Sequence, residues 1–462
     1  MGTSIDGLAS GLNTTSIINA LMSVEALPQT QLKTKLASDQ TMISTLQSFN
    51  TKLAALRDLA TGDSAANALN LFTASTTSTS LTATATTAAT AGSIDLTVTQ
   101  LAQTQVSVTA AMTSWPTDGT GAPMSLTLVD STGKQMEVVP ASTSLDDVVS
   151  AINGVAGGAR AVKVPAGNGS YRLQLTATTS GAAGAFTAYQ GTAAQVTAGT
   201  ATNLMADPAA AVVKTAQDAK ATLYAGTAAE QTVTSSSNTF TDILPGVSVT
   251  ASAVSTSPVT VTIASDTAGI SKKAGDLVSA VNDVLGFVSI YTAVSSKTDD
   301  NGVTTPTGGI FTGNSTVRTV NDQVLTALSM PVNGQSPSVY GINITKSGDF
   351  TFDAAKLATA LASDPVGTQS ALQSIASRVS DAATAATDPF SGAITNLIKG
   401  QQSEATDLGN QISDWDQRLA SRRATLQAVY TNMEVLLGGL QSQSSWLSGQ
   451  ISSLPTTSST GA

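Results

Sequence analysis

EATDLGNQISDWDQRLASRRATLQAVYTNMEVLLGGLQSQSSWLSGQISSL, residues 404–454, decides the architecture. Leu408, Ile412, Trp415, Leu419, Leu426, Val429, Met433, Leu436, Leu440 and Leu447 recur at alternating spacings of four and three, with only Arg422 and Gln443 as polar intrusions on the seam. That is the heptad signature of a coiled coil. A continuous helix from Glu404 to Leu454 would be roughly 75 Å long at 1.5 Å per residue, far longer than a compact domain requires. Gly438 and Gly439 are the expected points of interruption, because each glycine weakens a helix by about 1 kcal/mol relative to alanine. Ordering about fifty backbones costs roughly 1 to 2 kcal/mol each, whereas about ten seam residues return roughly 1.5 to 3 kcal/mol each on burial. The helix therefore needs partners, either in the same chain or in other subunits.

Working outward, the other end of the chain supplies one. SGLNTTSIINALMSVEALP, residues 10–28, offers Asn13 or Thr14 as a cap and places Ile17, Ile18, Leu21, Met22 and Val24 on one apolar side, with Pro28 expected to limit the helix. Leu32, Leu36, Met42, Leu46, Phe49, Leu53 and Leu56 continue as a second, longer helix that ends at Gly62 and Asp63.

Between the helical ends the period changes to two. Residues 73–91, TASTTSTSLTATATTAATA, have no apolar stripe and read as edge strand or linker, after which Ile94, Leu96 and Val98 alternate with polar neighbours. MSLTLVDSTGKQMEVVP, residues 124–140, is a hairpin turning at Asp130 to Lys134; residues 170–181 are a strand; and Ser144 caps a short helix carrying Val148, Val149 and Ile152. Residues 240–266 hold two alternating strands, followed by a helix over AGDLVSAVNDVLGFVSIYTAV that is weakened at Gly286. A second hairpin turns at Ser347 to Asp349, and a helix capped by Asp353 stops before Pro365. The expected fold is multidomain α+β: N- and C-terminal helices pair as a coiled-coil or helical-bundle leg around inserted β-rich head domains. The expected divisions are 1–40 with 405–462 as the leg, 41–72 with 266–404 as a helical bundle bearing a hairpin, 73–108 with 200–265 as a β-rich head, and 109–199 as an inserted α+β head.

Composition narrows the function. The formal net charge of -10 argues against a nucleic-acid partner, which requires lysines and arginines to neutralise phosphates. With no cysteine and no histidine, the 462 residues hold no disulfide framework, thiolate nucleophile, imidazole ligand or histidine-based triad. No cofactor is expected. The opening apolar stretch is broken by Asn13 and Asn19 and has no basic residue before it, so it reads as mature protein rather than a cleaved signal, and no segment is long enough to span a bilayer. Ser131 and Lys134 satisfy S-x-x-K, but they lie in a glycine turn and the companion K-T-G element is missing. DDNG at 299–302 lacks the length and terminal glutamate of a calcium loop, and Gly154, Gly157 and Gly158 lack the Lys-Ser/Thr of a phosphate loop. Asp146 and Asp147 are adjacent in a first helical turn, where they complement the macrodipole. An enzyme is the least supported class. The structural alternatives are a fibrous adhesin or a phage-tail-like protein.

Several segments together resemble one family. The opening SGLNTTSIINALMSVEALPQTQL, LPGVSVT followed by PVTVTIASD, GIFTGNSTVRTV, YGINITKSGDFTFDAAKLATAL and the terminal heptads resemble, in order, the flagellar filament cap proteins, also called hook-associated protein 2. TSLDDVVSAING with GSYRLQLTATTSG is similar to a small repeat in head domains of flagellar axial proteins, whereas NDVLGFVSIYTAV lacks the Tyr-Asn pair expected near its end and residues 182–240 match no family segment. The resemblance implies a homo-oligomer, most often a pentamer, at the extracellular tip of the flagellum. It implies export through the type III channel without a cleaved signal, aided by an export chaperone, and contacts with flagellin and the hook-filament junction proteins. It also implies that Leu8, Leu12, Ile17, Ile18, Leu21 and Met22, with the ten seam residues above, carry oligomerisation and filament docking.

Overall fold

A computed structural model describes residues 10–156, 158–298 and 302–453. Leu8, Gly157, Asp299, Asp300, Asn301 and Leu454, on which expectations fell, lie outside the described residues. The chain divides into two compact units, residues 1–65 with 271–462, and residues 66–270.

The chain opens with α1, Thr14–Glu25, and α2, Leu27–Ser64. Asn13 caps α1 by accepting from the Ser16 backbone N–H at 2.8 Å. Helix α1 ends before Pro28, as expected, and Pro28 itself occupies the first turn of the next helix, where a missing N–H costs nothing because that group has no helical acceptor. A single residue, Ala26, separates the two helices.

The second unit has two apolar cores. Its strands run, in order, β1 Phe72–Thr76, β2 Leu81–Ala85, β3 Gly92–Gln100, β4 Val106–Val108, β5 Leu126–Asp130 and β6 Gln135–Val138. Helix α3, Leu145–Asn153, precedes β7 Ala159–Gly167, β8 Ser170–Ala177 and β9 Phe186–Gln190, and the short α4, Ala193–Thr197, precedes β10 Thr202–Asn203. Then follow β11 Ala211–Lys214, β12 Ala219–Leu223, β13 Gln231–Ser235, β14 Thr239–Leu244, β15 Val247–Ala251 and β16 Val259–Ser265. A five-stranded sheet, β1-β16-β3-β12-β13, and a three-stranded sheet, β14-β15-β2, close on one core through Leu96, Val98, Phe240, Val249 and Val261. Two four-stranded sheets, β10-β9-β5-β6 and β11-β4-β8-β7, form the other with α3, around Trp115, Leu128, Val148, Ile152 and Leu173. Residues 73–91 are strands rather than linker, because β1 pairs with β16 and β2 with β15, giving their alternating threonines backbone partners that local sequence does not reveal. Residues 240–266 span three strands, not two. PGVS is a hairpin turn in which Gly246, at φ +72°, has the backbone of Ala88 and Ala89 where a Cβ would stand.

The first unit resumes with α5, Thr267–Thr292, which crosses the boundary, then the ribbon β17 Ser295–Thr298 and β18 Thr304–Thr307. Helix α6, Ser315–Ser329, is followed by the hairpin β19 Ile342–Ile344 and β20 Phe350–Phe352, and by α7 Ala354–Ser363, α8 Pro365–Thr387 and α9 Ala393–Ser452. Helices α2 and α8 pack antiparallel, as Arg57 donates to the Thr387 hydroxyl at 3.4 Å and the Thr61 and Ser380 hydroxyls lie 2.7 Å apart. Phe49 of α2 stacks on Phe287 of α5 at 5.8 Å between centroids and meets Phe311 at 5.9 Å. Asn282 of α5 holds the hairpin through both its side-chain atoms, on the Phe350 carbonyl at 2.7 Å and N–H at 2.8 Å. The helix runs unbroken through the weak point at Gly286, since buried Val288 and half-buried Phe287 and Tyr291 continue the packed face past it.

Candidate functional site

The paired terminal helices are built from α1 and α2 lying against α9. Three polar pins fix their direction. Glu434 accepts from the Ser10 backbone N–H at 3.2 Å and from its hydroxyl, Gln29 Nε2 donates to Asp416 Oδ1 at 2.5 Å, and Lys35 Nζ reaches Glu404 Oε1 at 2.5 Å. As numbers rise along α1 and α2 they fall along α9, so the pair is antiparallel. The neighbouring Glu404 carboxylate, by hydrogen bond and by charge, raises the Lys35 ammonium above its ordinary value.

Helix α9 starts well before Glu404, at Ala393, and runs through Gly438 and Gly439 without a break. The two glycines cost the helix about 2 kcal/mol together, too little to stop a helix already propagating from both sides. Of the anticipated site residues, Ile18, Met22 and Leu408 are buried, and Ile17, Ile412, Trp415, Leu419, Leu426 and Met433 are half-buried. Leu12, Leu21, Val429, Leu436, Leu440 and Leu447 are exposed, and Val24, Leu27, Val435, Trp446 and Ile451 join them as exposed apolar side chains. Ser10 meets α9 at Glu434, and α9 continues about five further turns past that contact. Arg418 lies over the Trp415 ring at 5.2 Å, covering part of it.

Periodicity could not find the polar pins. Gln29 and Glu434 are polar yet buried, and the opposing terminal segment supplies each with a partner far away in the chain. Nor did periodicity single out Trp446 or Ile451, which lie off the four-three seam but on solvent.

The helices present apolar and hydrogen-bonding surface. Elsewhere, Ser131 Oγ donates to the Ala183 carbonyl at 2.9 Å, and Asp130 Oδ1 accepts from Thr132 and from the Lys134 N–H, so the S-x-x-K match is a turn. Hydrogen bonds from Thr132, the side chain first, hold the Asp130 carboxyl below the ordinary carboxylate range. Among the described residues no group of three or more Asp or Glu could hold a metal ion, and no helix is long and apolar enough to cross a membrane.

A long helical pair with apolar side chains left on solvent, together with a β-rich unit inserted in sequence between its helices, is the architecture of a structural protein. The sequence profile of "Flagellar hook-associated protein 2 N-terminus" matches residues 10–105 and that of "Flagellar hook-associated protein 2 C-terminus" matches residues 216–442. Flagellar hook-associated protein 2 of Escherichia coli O157:H7 is 27% identical over 467 residues, covering 96% of this chain and 97% of the relative. B-type flagellar hook-associated protein 2 of Pseudomonas aeruginosa is 28% identical over 192 residues, 40% of this chain and 39% of the relative. The crystal structure of the D1-D2-D3 domains of the flagellar cap protein FliD from Escherichia coli superposes with a TM-score of 0.61 at 23% identity, over 77% of this chain and 99% of that one. This chain belongs to the flagellar hook-associated protein 2 family.

Proposed function

We propose that this chain caps the distal end of a bacterial flagellar filament. What carries the reading is a family match over residues 10–105 and 216–442, which takes in the terminal helices and both flanks of the β unit, together with terminal helices whose apolar stripe is left on solvent. The chain acts as a homo-oligomer, most simply a pentamer. Its helices are the legs that dock on the filament tip, and its heads form the plate beneath which exported flagellin folds and is inserted. Leu8, Leu12, Ile17, Ile18, Leu21, Met22 and the ten seam residues of α9 carry docking and assembly, with the buried members setting the leg's internal packing and the exposed ones facing other subunits. The leg comprises residues 1–40 with 405–462, the bundle 41–72 with 266–404, and the heads 73–108 with 200–265 and 109–199. Export runs through the flagellar type III channel without a cleaved signal, aided by a chaperone, and the hook-filament junction proteins are the first surface the cap meets. The mechanism is confinement and positional exchange, with no covalent step and no cofactor.

The adhesin or phage-tail reading is not favoured, because the comparisons lead to flagellar cap proteins. The test is complementation. Deleting the gene in its own bacterium should abolish filaments and release monomeric flagellin into the medium, and a full-length copy should restore growth where one lacking residues 1–28 does not. Normal filaments in the deletion strain would overturn the cap reading.

A further inference from the structure

Helices α8 and α9 are separated only by residues 388–392, DPFSG, and this break displays Phe390 with 87% of its surface exposed. The loop is tightly tied. Asp388 Oδ1 accepts from the Phe390 N–H at 3.0 Å, the Ser391 N–H at 2.7 Å and the Ser391 hydroxyl at 2.8 Å. Asn396 donates to the Ser391 carbonyl at 3.3 Å and Lys399 Nζ to the Pro389 carbonyl at 2.9 Å. Gly392 admits no side chain, since a Cβ there would meet backbone atoms of Asp388 within 2.6 Å. Polar groups are turned onto the loop itself and its one aromatic ring is turned out. Such an arrangement pre-pays the ordering cost of an aromatic anchor, the residue type enriched at binding hot spots.

The same unit contains a socket of matching chemistry. A groove of about 520 Å³ between α6 and α8 is lined by small apolar residues, Ala327, Ala382 and Ala385, together with Met330 and Asp322. Arg378 also lines it, with Nη1 on the Pro331 carbonyl at 3.2 Å and Nη2 on the Met330 carbonyl at 2.9 Å, while its buried Nε has no acceptor among the described residues. The knob carries a cation, Lys399, held against the Pro389 carbonyl, and the socket carries an exposed carboxylate, Asp322.

We propose that Phe390 of one copy seats in the α6–α8 groove of a second copy of this chain, with Lys399 facing Asp322. The occupant is a second copy because one chain carries both an apolar knob beside a lysine and an apolar groove beside a carboxylate, which lets a single contact link identical chains. The contact rests on the self-association proposed above and gives it an address.

The absence of cysteine makes the test clean. Full-length Phe390→Cys and Ala382→Cys chains, mixed and treated with a short thiol–thiol cross-linker, should give a covalent heterodimer. Phe390→Cys mixed with Val366→Cys, at the other end of α8 and more open to reagent than position 382, should not. Sedimentation of Phe390→Ser should show self-association weakened at least about thirtyfold, the loss expected of an aromatic hot spot, with unchanged helix content. If wild type associates and Phe390→Ser associates equally, or the 366 pair cross-links as well as the 382 pair, the contact is overturned and the oligomer stands. Cross-linking of the Phe390→Cys chain to flagellin alone likewise overturns it in favour of a filament contact. A wild-type chain that stays monomeric at every concentration overturns both the contact and the self-association.

Discussion

The double substitution Leu436→Gln with Leu440→Gln separates docking from folding. Both leucines lie beyond the pin between Ser10 and Glu434, and they are 69% and 61% exposed. Glutamine propagates a helix nearly as well as leucine, so the chain by itself should lose no more than about 0.5 kcal/mol. In an assembly that buries the stripe, each leucine contributes roughly 1.5 to 3 kcal/mol, or about 3 to 6 kcal/mol for the pair. At about 1.4 kcal/mol per decade, that weakens association by roughly a hundredfold to ten-thousandfold. The matched control is Leu408→Ala, which removes a residue only 4% exposed and should cost about 2 to 5 kcal/mol of stability. The assays are thermal unfolding of the purified chain, then filament length and flagellin in the medium after complementation. The expected pattern is an unchanged melting temperature with short or absent filaments for the glutamine pair, and a lowered melting temperature for Leu408→Ala. Full-length filaments from the glutamine pair would refute the assignment of the exposed stripe to docking; a melting temperature lowered as far as that of Leu408→Ala would show the stripe to be internal packing instead.

Three further predictions follow from the bundle and its loop. Phe49→Ala removes a fully buried ring stacked on Phe287 and tilted against Phe311, which should cost about 3 to 5 kcal/mol and lower the helical melting transition at 222 nm, while near-ultraviolet signal from Trp115, buried in a core of the other unit, serves as the internal reference. Hydrogen bonds from the Ser391 N–H first, then the Ser391 hydroxyl and the Phe390 N–H, depress the Asp388 carboxyl. Its contribution is therefore complete above the ordinary carboxylate range and is lost as pH falls through the depressed value; hydrogen exchange at the Ser391 amide should accelerate only below that range, and an onset near neutrality would exclude Asp388 as the cause. Gly341→Ala places a Cβ 2.3 Å from the Asp353 carbonyl oxygen at φ +83°, so the β19–β20 hairpin should loosen, with faster exchange at Ile342 and Phe352; unaltered exchange there would count against the close approach.

The helices were legible because their information is local. Leu408 through Leu447 fall on one seam by spacing alone, Asn13, Ser144 and Asp353 cap from their own side chains, and each of these caps is present in the structure. The 124–140 hairpin was legible for the same reason, since Asp130 and Gly133 build its turn within five residues. What local sequence left open depends on partners distant in the chain. The threonine-rich 73–91 segment, edge strand or linker by its spacing, supplies two edge strands because β15 and β16 arrive from more than 150 residues away.

By itself the sequence determined the helical ends, the β-rich interior, the absence of thiol and imidazole chemistry, and the ordered segments that resemble flagellar cap proteins. Tertiary structure decided which seam residues are spent inside the pair and which remain on solvent, because exposure depends on where the opposing helix lies. Heptad spacing treats Leu408 and Leu436 alike; the antiparallel register pinned at Gln29 and Glu434 buries the first and leaves the second exposed. It also decided that Phe390, on which sequence spacing is silent, stands out from a loop tied down by Asp388 and Gly392.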